Sequence, residues 1–233
     1  MGLIRKLKNN LWMFRALPYS VWFNLRNLPF RQAAKLPILI YKPQSVKTSG
    51  RIRLDAPAKF GMIRMGHRCV GIYPNNGIIF ENRGEIVFKG RASIGNNSAI
   101  AIGPSGHLVL EDFFRATAAL KLVCYSDVLI EKSVLIGWNC MICDTDFHSS
   151  TFVKGGHSKG YGSIKIGTNT WIANSCKIYK NVSIPPNSVI ASDTIVCSNR
   201  HEKENLLLGN DHSVEVLKEG VYLDMSNDKI EYE

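Results

Sequence analysis

Acidic residues are missing from the first 54 positions, which hold eleven Lys and Arg and no Asp or Glu. Long apolar runs are missing from the same stretch. Arg15, Pro18, Asn24 and Arg26 interrupt it, and no segment approaches the ~20 residues that a membrane-crossing helix needs. It therefore reads as neither a membrane span nor a secretory leader. The sequence also lacks a cysteine framework. Its six cysteines show no regular spacing, which suits a reducing compartment, and the expected location is the cytoplasm. Cys140 and Cys143 form a Cys-x-x-Cys pair, but no second pair accompanies it, so packing is expected rather than zinc or redox chemistry, and no metal is expected.

The formal charge of +10 is carried entirely by the N-terminus, because the residues after position 54 hold eighteen basic and nineteen acidic side chains. No nucleic-acid recognition motif accompanies that charge, so nucleic acid is not the expected partner. Residues 1–30 read as one or two amphipathic helices, with Leu3, Ile4, Leu7, Leu11, Trp12 and Phe14 among Arg5, Lys6, Lys8 and Arg15, followed by Trp22, Phe23 and Leu25. Two roles suit this pattern. One is peripheral contact with an anionic membrane at the inner face of the cell membrane; the other is a cap on the domain that follows, or a contact between subunits.

What the chain has in abundance is a period. Aliphatic residues recur every six positions at Ile166, Ile172, Ile178, Ile184, Ile190 and Val196, with Thr170, Cys176, Val182, Ser188 and Thr194 four places after each. A helix turning 100° per residue would rotate successive members by about 240° and scatter them around its axis, so a helix is excluded. In a strand, positions one and five of each hexad face the same side. The fourth positions, Asn169, Ser175, Asn181, Asn187 and Asp193, are residue types that tolerate a left-handed corner. Each hexad is a short strand plus a corner, and such units must stack to bury their apolar side. Cys140 and Cys176 take inward positions. Stepping back by sixes from Ile166 reaches Ile142, Ile136 and Ile130, then Ile100 and Ile94. Residues 108–124 do not fit the register. Upstream, Leu36–Tyr41 reads as a short strand leading into a basic linker at Pro43–Lys47, and from Arg51 the strands are irregular.

The ladder breaks after Ile142. Asp146 falls where a small inward residue belongs, and a carboxylate in an apolar interior is costly, so the chain is expected to leave the repeat there and return after Ser163. An interruption of this kind on a rigid scaffold marks the loop as the functional candidate. Asp144-Thr145-Asp146-Phe147-His148 supplies an imidazole, suited to proton transfer near neutral pH, beside two carboxylates able to fix its tautomer. His157 lies further along the glycine-rich loop.

These features resemble the hexapeptide-repeat acyltransferases, over roughly residues 50 to 221 and most clearly in the second half. The resemblance implies an all-β chain, a left-handed parallel β-helix with three hexads per turn. Residues 1–50 would form a basic helical segment and linker, 51–221 the β-helix with an active-site loop at 147–163, and 222–233 a tail. The pentad is similar to the Asp-x-Asp-Phe-His signature of members that acetylate polysaccharides, which implies His148 as general base assisted by Asp144 and Asp146. From their own chemistry, Trp138 offers a flat surface either for the acceptor's sugar ring or for a subunit contact, and His157 is a candidate for acceptor or donor contact or a solvated loop residue. The implied donor is acetyl-CoA, held between subunits of a homotrimer. Trp171, Ala173, Asn174, Ser192, Cys197 and Ser198 match the family's donor-groove positions, and Arg200 and Lys203 are placed to meet CoA phosphates. Two positions depart from the family, Ser198 where a lysine is usual and Asp193 where a glycine is usual. The implied function is O-acetylation of a sugar hydroxyl in a capsular, O-antigen or exopolysaccharide unit, the acceptor being a saccharide or lipid-linked saccharide. N-acylation of an amino or nucleotide sugar would use the same groove, and a non-catalytic scaffold is a further alternative. A zinc hydro-lyase on this fold would need three histidine ligands, a pattern that His148 and His157 do not show.

Overall fold

A computed structural model of the chain describes residues 3–151, 156–197 and 203–209, with side chains from Leu11 onward. It contains α1 (Leu3–Asn27), α2 (Phe30–Ala33) and a parallel β-helix that begins with β1 (Ile38–Ile40), β2 (Pro43–Thr48) and β3 (Arg51–Leu54). Successive strands join three parallel sheets in rotation, so β1, β2 and β3 start sheets of eight, seven and six strands. The expected solenoid is present. It starts two strands earlier than residue 51, at β1: the segment expected to be a linker is β2, paired with Ile78–Asn82 across a bulge at Pro43/Ser45.

The hexad positions are the inward rungs. Ile94, Ala116, Ile136, Ile172 and Ile190 stack in the first sheet. Phe80, Ile100, Leu122, Ile142, Ile178 and Val196 stack in the second, and Phe88, Leu110, Ile130, Ile166 and Ile184 in the third. All are buried, which places the hydrophobic contribution in continuous columns along the axis. Cys140 and Cys176 are buried between these columns and donate to the carbonyls of Ala173 and Ala191, each at 3.0 Å. The five fourth-position residues all have left-handed backbone, φ between 55° and 62°. The corners of Phe113 and Ala119, at φ 64° and 52°, do the same with residue types that give no such signal.

The register slip has a simple form. Ten residues separate Ile100 from Leu110 and eight separate Leu122 from Ile130 where the repeat would use six. Both insertions fall at the corner between the second and third sheets. Together they shift the sequence by one full hexad, so the ladder re-enters phase at Ile130, and residues 107–124 are ordinary strands at His107–Leu110, Phe114–Ala116 and Lys121–Cys124. The same corner makes the largest excursion: Ile142 and Ile166, neighbours in successive rungs, are 24 residues apart.

At the N-terminal end α1 closes the stack. The Asn24 amide group accepts from Ile38 N at 3.1 Å and donates to Ile38 O at 2.7 Å, and the Ser20 hydroxyl accepts from Ile40 N at 2.9 Å. These side chains occupy the free edge of β1, satisfying backbone groups that would otherwise recruit another strand. Phe23 is fully buried against Phe80. Of the two expected roles for residues 1–30, capping is therefore present.

Trp12 anchors the helix by stacking on His67, ring centroids 4.8 Å apart. Burial, and then the nearby Arg64 charge, lower the His67 pKa to about 4. Below the ordinary value near 6.5 the unfolded chain takes up a proton that the folded one refuses until about pH 4, so stability falls as pH falls through that window. We expect His67 to contribute a slope of up to about 1.4 kcal/mol per pH unit there. Denaturant unfolding between pH 4.5 and 7 measures it, and an unchanged slope in His67→Gln would assign the effect elsewhere.

Candidate functional site

The excursion leaves the second sheet after Met141–Cys143 and rejoins the third at Ile164–Ile166. Its arms pair with each other in antiparallel fashion, through bridges at Thr145 with Tyr161 and at Thr151 with His157. Asp146 N donates to Gly160 O at 2.7 Å and Gly162 N to Asp144 O at 2.9 Å. The loop is thus a hairpin rooted in the solenoid, with residues 152–155 outside the described set. Gly160 is required at its pinch point: its φ is +70°, and a Cβ there would lie 2.7 Å from the His148 carbonyl oxygen.

The two acids do different jobs. Asp144 is fully buried, and its two carboxylate oxygens each accept one backbone N–H, from Tyr125 and from Ser126, both at 2.7 Å. Burial pushes its pKa up, against the opposing pull of those two bonds. Asp146 instead faces out and is bound through both oxygens by the Lys180 ammonium at 2.6 Å. This corrects two expectations. The inward carboxylate is Asp144, so the ladder opens before Asp146, and among the described residues neither acid hydrogen-bonds the His148 ring.

His148 is exposed. It follows Phe147, whose backbone sits at φ 61°, a conformation costing on the order of 1–3 kcal/mol for a bulky residue. Phe147 is held there by an edge-on contact with Tyr125, centroids 5.0 Å apart, and by Phe147 N donating to the Thr145 hydroxyl at 3.0 Å. The position of the imidazole is therefore set through the backbone, and the ring itself is open to an incoming ligand. His157, also exposed, meets Thr151 Oγ1 through Nδ1 at 3.1 Å, toward the hairpin tip.

The remaining candidates lie elsewhere. Trp138, 37% exposed, Asn174 and Ser192 belong to the corner between the first and second sheets. There, Ser175 N donates to Trp138 O and Asp193 N to Asn174 O, and the Ser192 hydroxyl donates to Asn174 Oδ1 at 2.9 Å. Trp171 stands on the outer face of the first sheet between Leu135 and Val189, and Ala173 is buried at the start of that corner. Cys197 and Lys203 are exposed. Ser198, Arg200 and the tail at 222–233 lie outside the described residues. The structure thus brings together Trp138, Asn174 and Ser192, and separates them from His148 by the width of the second sheet.

The chain is similar to a protein of the Klebsiella pneumoniae cps region. That relative, described as an uncharacterized 24.8 kDa protein, is 29% identical over 148 residues, 63% of this chain and 64% of its own length. No family model matches the chain, and no solved structure does. Among the described residues no helix is long and apolar enough to cross a membrane.

Four site residues escape a reading of the sequence. Lys180 is 34 positions from Asp146 and reaches it because one coil stacks on the next. Tyr125 supports Phe147 from the preceding coil. Lys121 and Lys177, each paired with Met141 on the outer face of the second sheet, border a groove of about 440 Å³ with Ser175 and Asp193. Two ammonium groups beside the Asn174 and Ser192 corner suit a phosphorylated ligand, a fit that the Ser198 departure left open.

Proposed function

We propose that the chain is an acyltransferase that moves an acetyl group from acetyl-CoA to a sugar hydroxyl in surface-polysaccharide biosynthesis. The observation that carries the proposal is the hairpin at the corner between the second and third sheets, which is the longest excursion from the ladder and holds His148 exposed next to the strained backbone of Phe147. Imidazole nitrogen takes the hydroxyl proton as the oxygen attacks the thioester carbonyl; the C–O bond forms, the C–S bond breaks, and the proton passes to the departing thiolate. The cps-region relative supports a polysaccharide setting.

Donor binding is assigned to the first corner, where Trp138, Asn174 and Ser192 meet the Lys121 and Lys177 groove. The acetyl-CoA phosphates would be met by those lysines, with the thioester running along the corner. Because this corner and the His148 hairpin lie at opposite ends of the second sheet, a complete site takes its base from one copy and its donor corner from another. A homotrimer of parallel solenoids supplies that arrangement.

Calorimetric titration with acetyl-CoA tests the donor half before any acceptor is known. Saturable binding that weakens by about tenfold in Lys121→Ala/Lys177→Ala is the expected result. Absence of binding at millimolar donor would remove acetyl-CoA from the reading.

A further inference from the structure

The capping helix has a second apolar face that the cap does not use. Ala16, Ser20, Phe23 and Asn24 face the solenoid and are buried. Leu11, Phe14, Val21, Trp22 and Leu25, which fall within about 100° of one another around the helix axis on the opposite side, are exposed, Phe14 by 60% and Trp22 by 51%. Phe30 of α2 adds another apolar side chain, 75% exposed. Since Ser20 and Asn24 bind the free edge of β1, this outer face looks away from the coils along the stacking direction. A row of large apolar side chains of this length on a soluble surface marks an interaction site.

Charge identifies the occupant. Arg15 and Arg26 run along one flank of the row, Arg31 follows Phe30, and the Arg26 guanidinium lies 5.6 Å from the Trp22 ring centroid. No acidic residue occurs before Asp55. A second copy seated on this face would bring together two segments that each carry eleven basic and no acidic residues, with no counter-charge on either side. An anionic lipid surface answers both features, accepting the apolar row at headgroup depth and the arginines at the phosphates, with Trp22 at the boundary.

We propose that the outer face of α1 docks the protein on an anionic bilayer, with the helix lying flat in the interface and the solenoid standing away from it. The rest of the chain is nearly neutral, so the attraction acts at one end and fixes the orientation. The proposal does not depend on the acyltransferase reading. It also dictates the experiment, because removing the helix would uncover β1 and Phe80 and unfold the first coil; exposed residues must be changed instead.

The full-length protein is sedimented with vesicles of phosphatidylcholine alone and of phosphatidylcholine mixed with phosphatidylglycerol. The expected result is at least about tenfold tighter association with the anionic vesicles, weakening as salt rises. Phe14→Ser/Trp22→Ser/Leu25→Ser should abolish that association with the thermal transition and oligomeric mass unchanged, and Arg15→Gln/Arg26→Gln should reduce the preference for anionic lipid. Equal association with both vesicle types, or none, overturns the proposal. So does a triple variant that loses oligomeric mass while still sedimenting with the vesicles, which would assign the face to a second copy.

Discussion

His148→Ala is expected to lower acetyl transfer to a competent sugar acceptor by roughly 10²–10⁴-fold, the usual worth of a positioned base, or about 2.7–5.4 kcal/mol of barrier. The effect should appear in kcal-equivalent terms on kcat, with acetyl-CoA affinity within about twofold of wild type, because the hairpin stands at the other end of the second sheet from the proposed donor corner. Asp146→Asn gives the internal comparison. Asp146 is paired with Lys180 and is not bonded to the His148 ring among the described residues, so its loss should cost much less than the loss of the imidazole. Turnover of His148→Ala within threefold of wild type would take the base role away from His148. Equal losses in both variants would mean that the carboxylate reaches the imidazole once the acceptor is bound.

The period that made the fold legible also explains where legibility stopped. From Ile166 onward every rung is six residues, and small polar residues occupy every left-handed corner, so strand, corner and inward face could all be read directly. The 24-residue step from Ile142 to Ile166 is a whole number of hexads, which let the phase cross the hairpin undisturbed. Between Ile100 and Ile130 the insertions of four and two residues cancel only in sum, so Leu110, Ala116 and Leu122 fall out of phase although they are regular rungs. Phe113 and Ala119, in left-handed corners, offer no chemical cue there. In the first coil β2 was hidden for a different reason: Pro43–Thr48 is polar, carries a bulge and buries none of its residues fully, so it lacks the alternation that marks a strand. At the site, His148 and the break in the ladder were visible, but the division of labour between the two acids was not. Counting by hexads places Asp146 inward, whereas the corner begins two residues earlier and turns Asp144 in. Lys180 and Tyr125 meet the hairpin only through stacking of coils, which adjacency in sequence does not encode.

Asp144→Ala is expected to be among the most destabilising single changes on the solenoid. It leaves the N–H groups of Tyr125 and Ser126 without their acceptors in a closed corner, at about 1–3 kcal/mol for each orphaned donor, so a loss on the order of 2–5 kcal/mol is expected in denaturant unfolding. Asp144→Asn keeps one acceptor but turns an amide N–H₂ toward the second donor, and should fall between Asp144→Ala and wild type. Asp146→Asn touches an exposed ion pair, where the expected loss is at most about 1 kcal/mol. The difference matters for the site because the same residue ties the hairpin to the solenoid: its carbonyl accepts Gly162 N, while its carboxylate grips the preceding coil at Tyr125, the residue that supports Phe147. Loosening Asp144 therefore frees the backbone that carries His148, and turnover should fall together with stability even though the carboxylate is spent on backbone rather than on the imidazole. If Asp144→Ala unfolds no more easily than Asp146→Asn, water reaches the two N–H groups, and the hairpin is then held by its own antiparallel pairing instead of by the buried carboxylate.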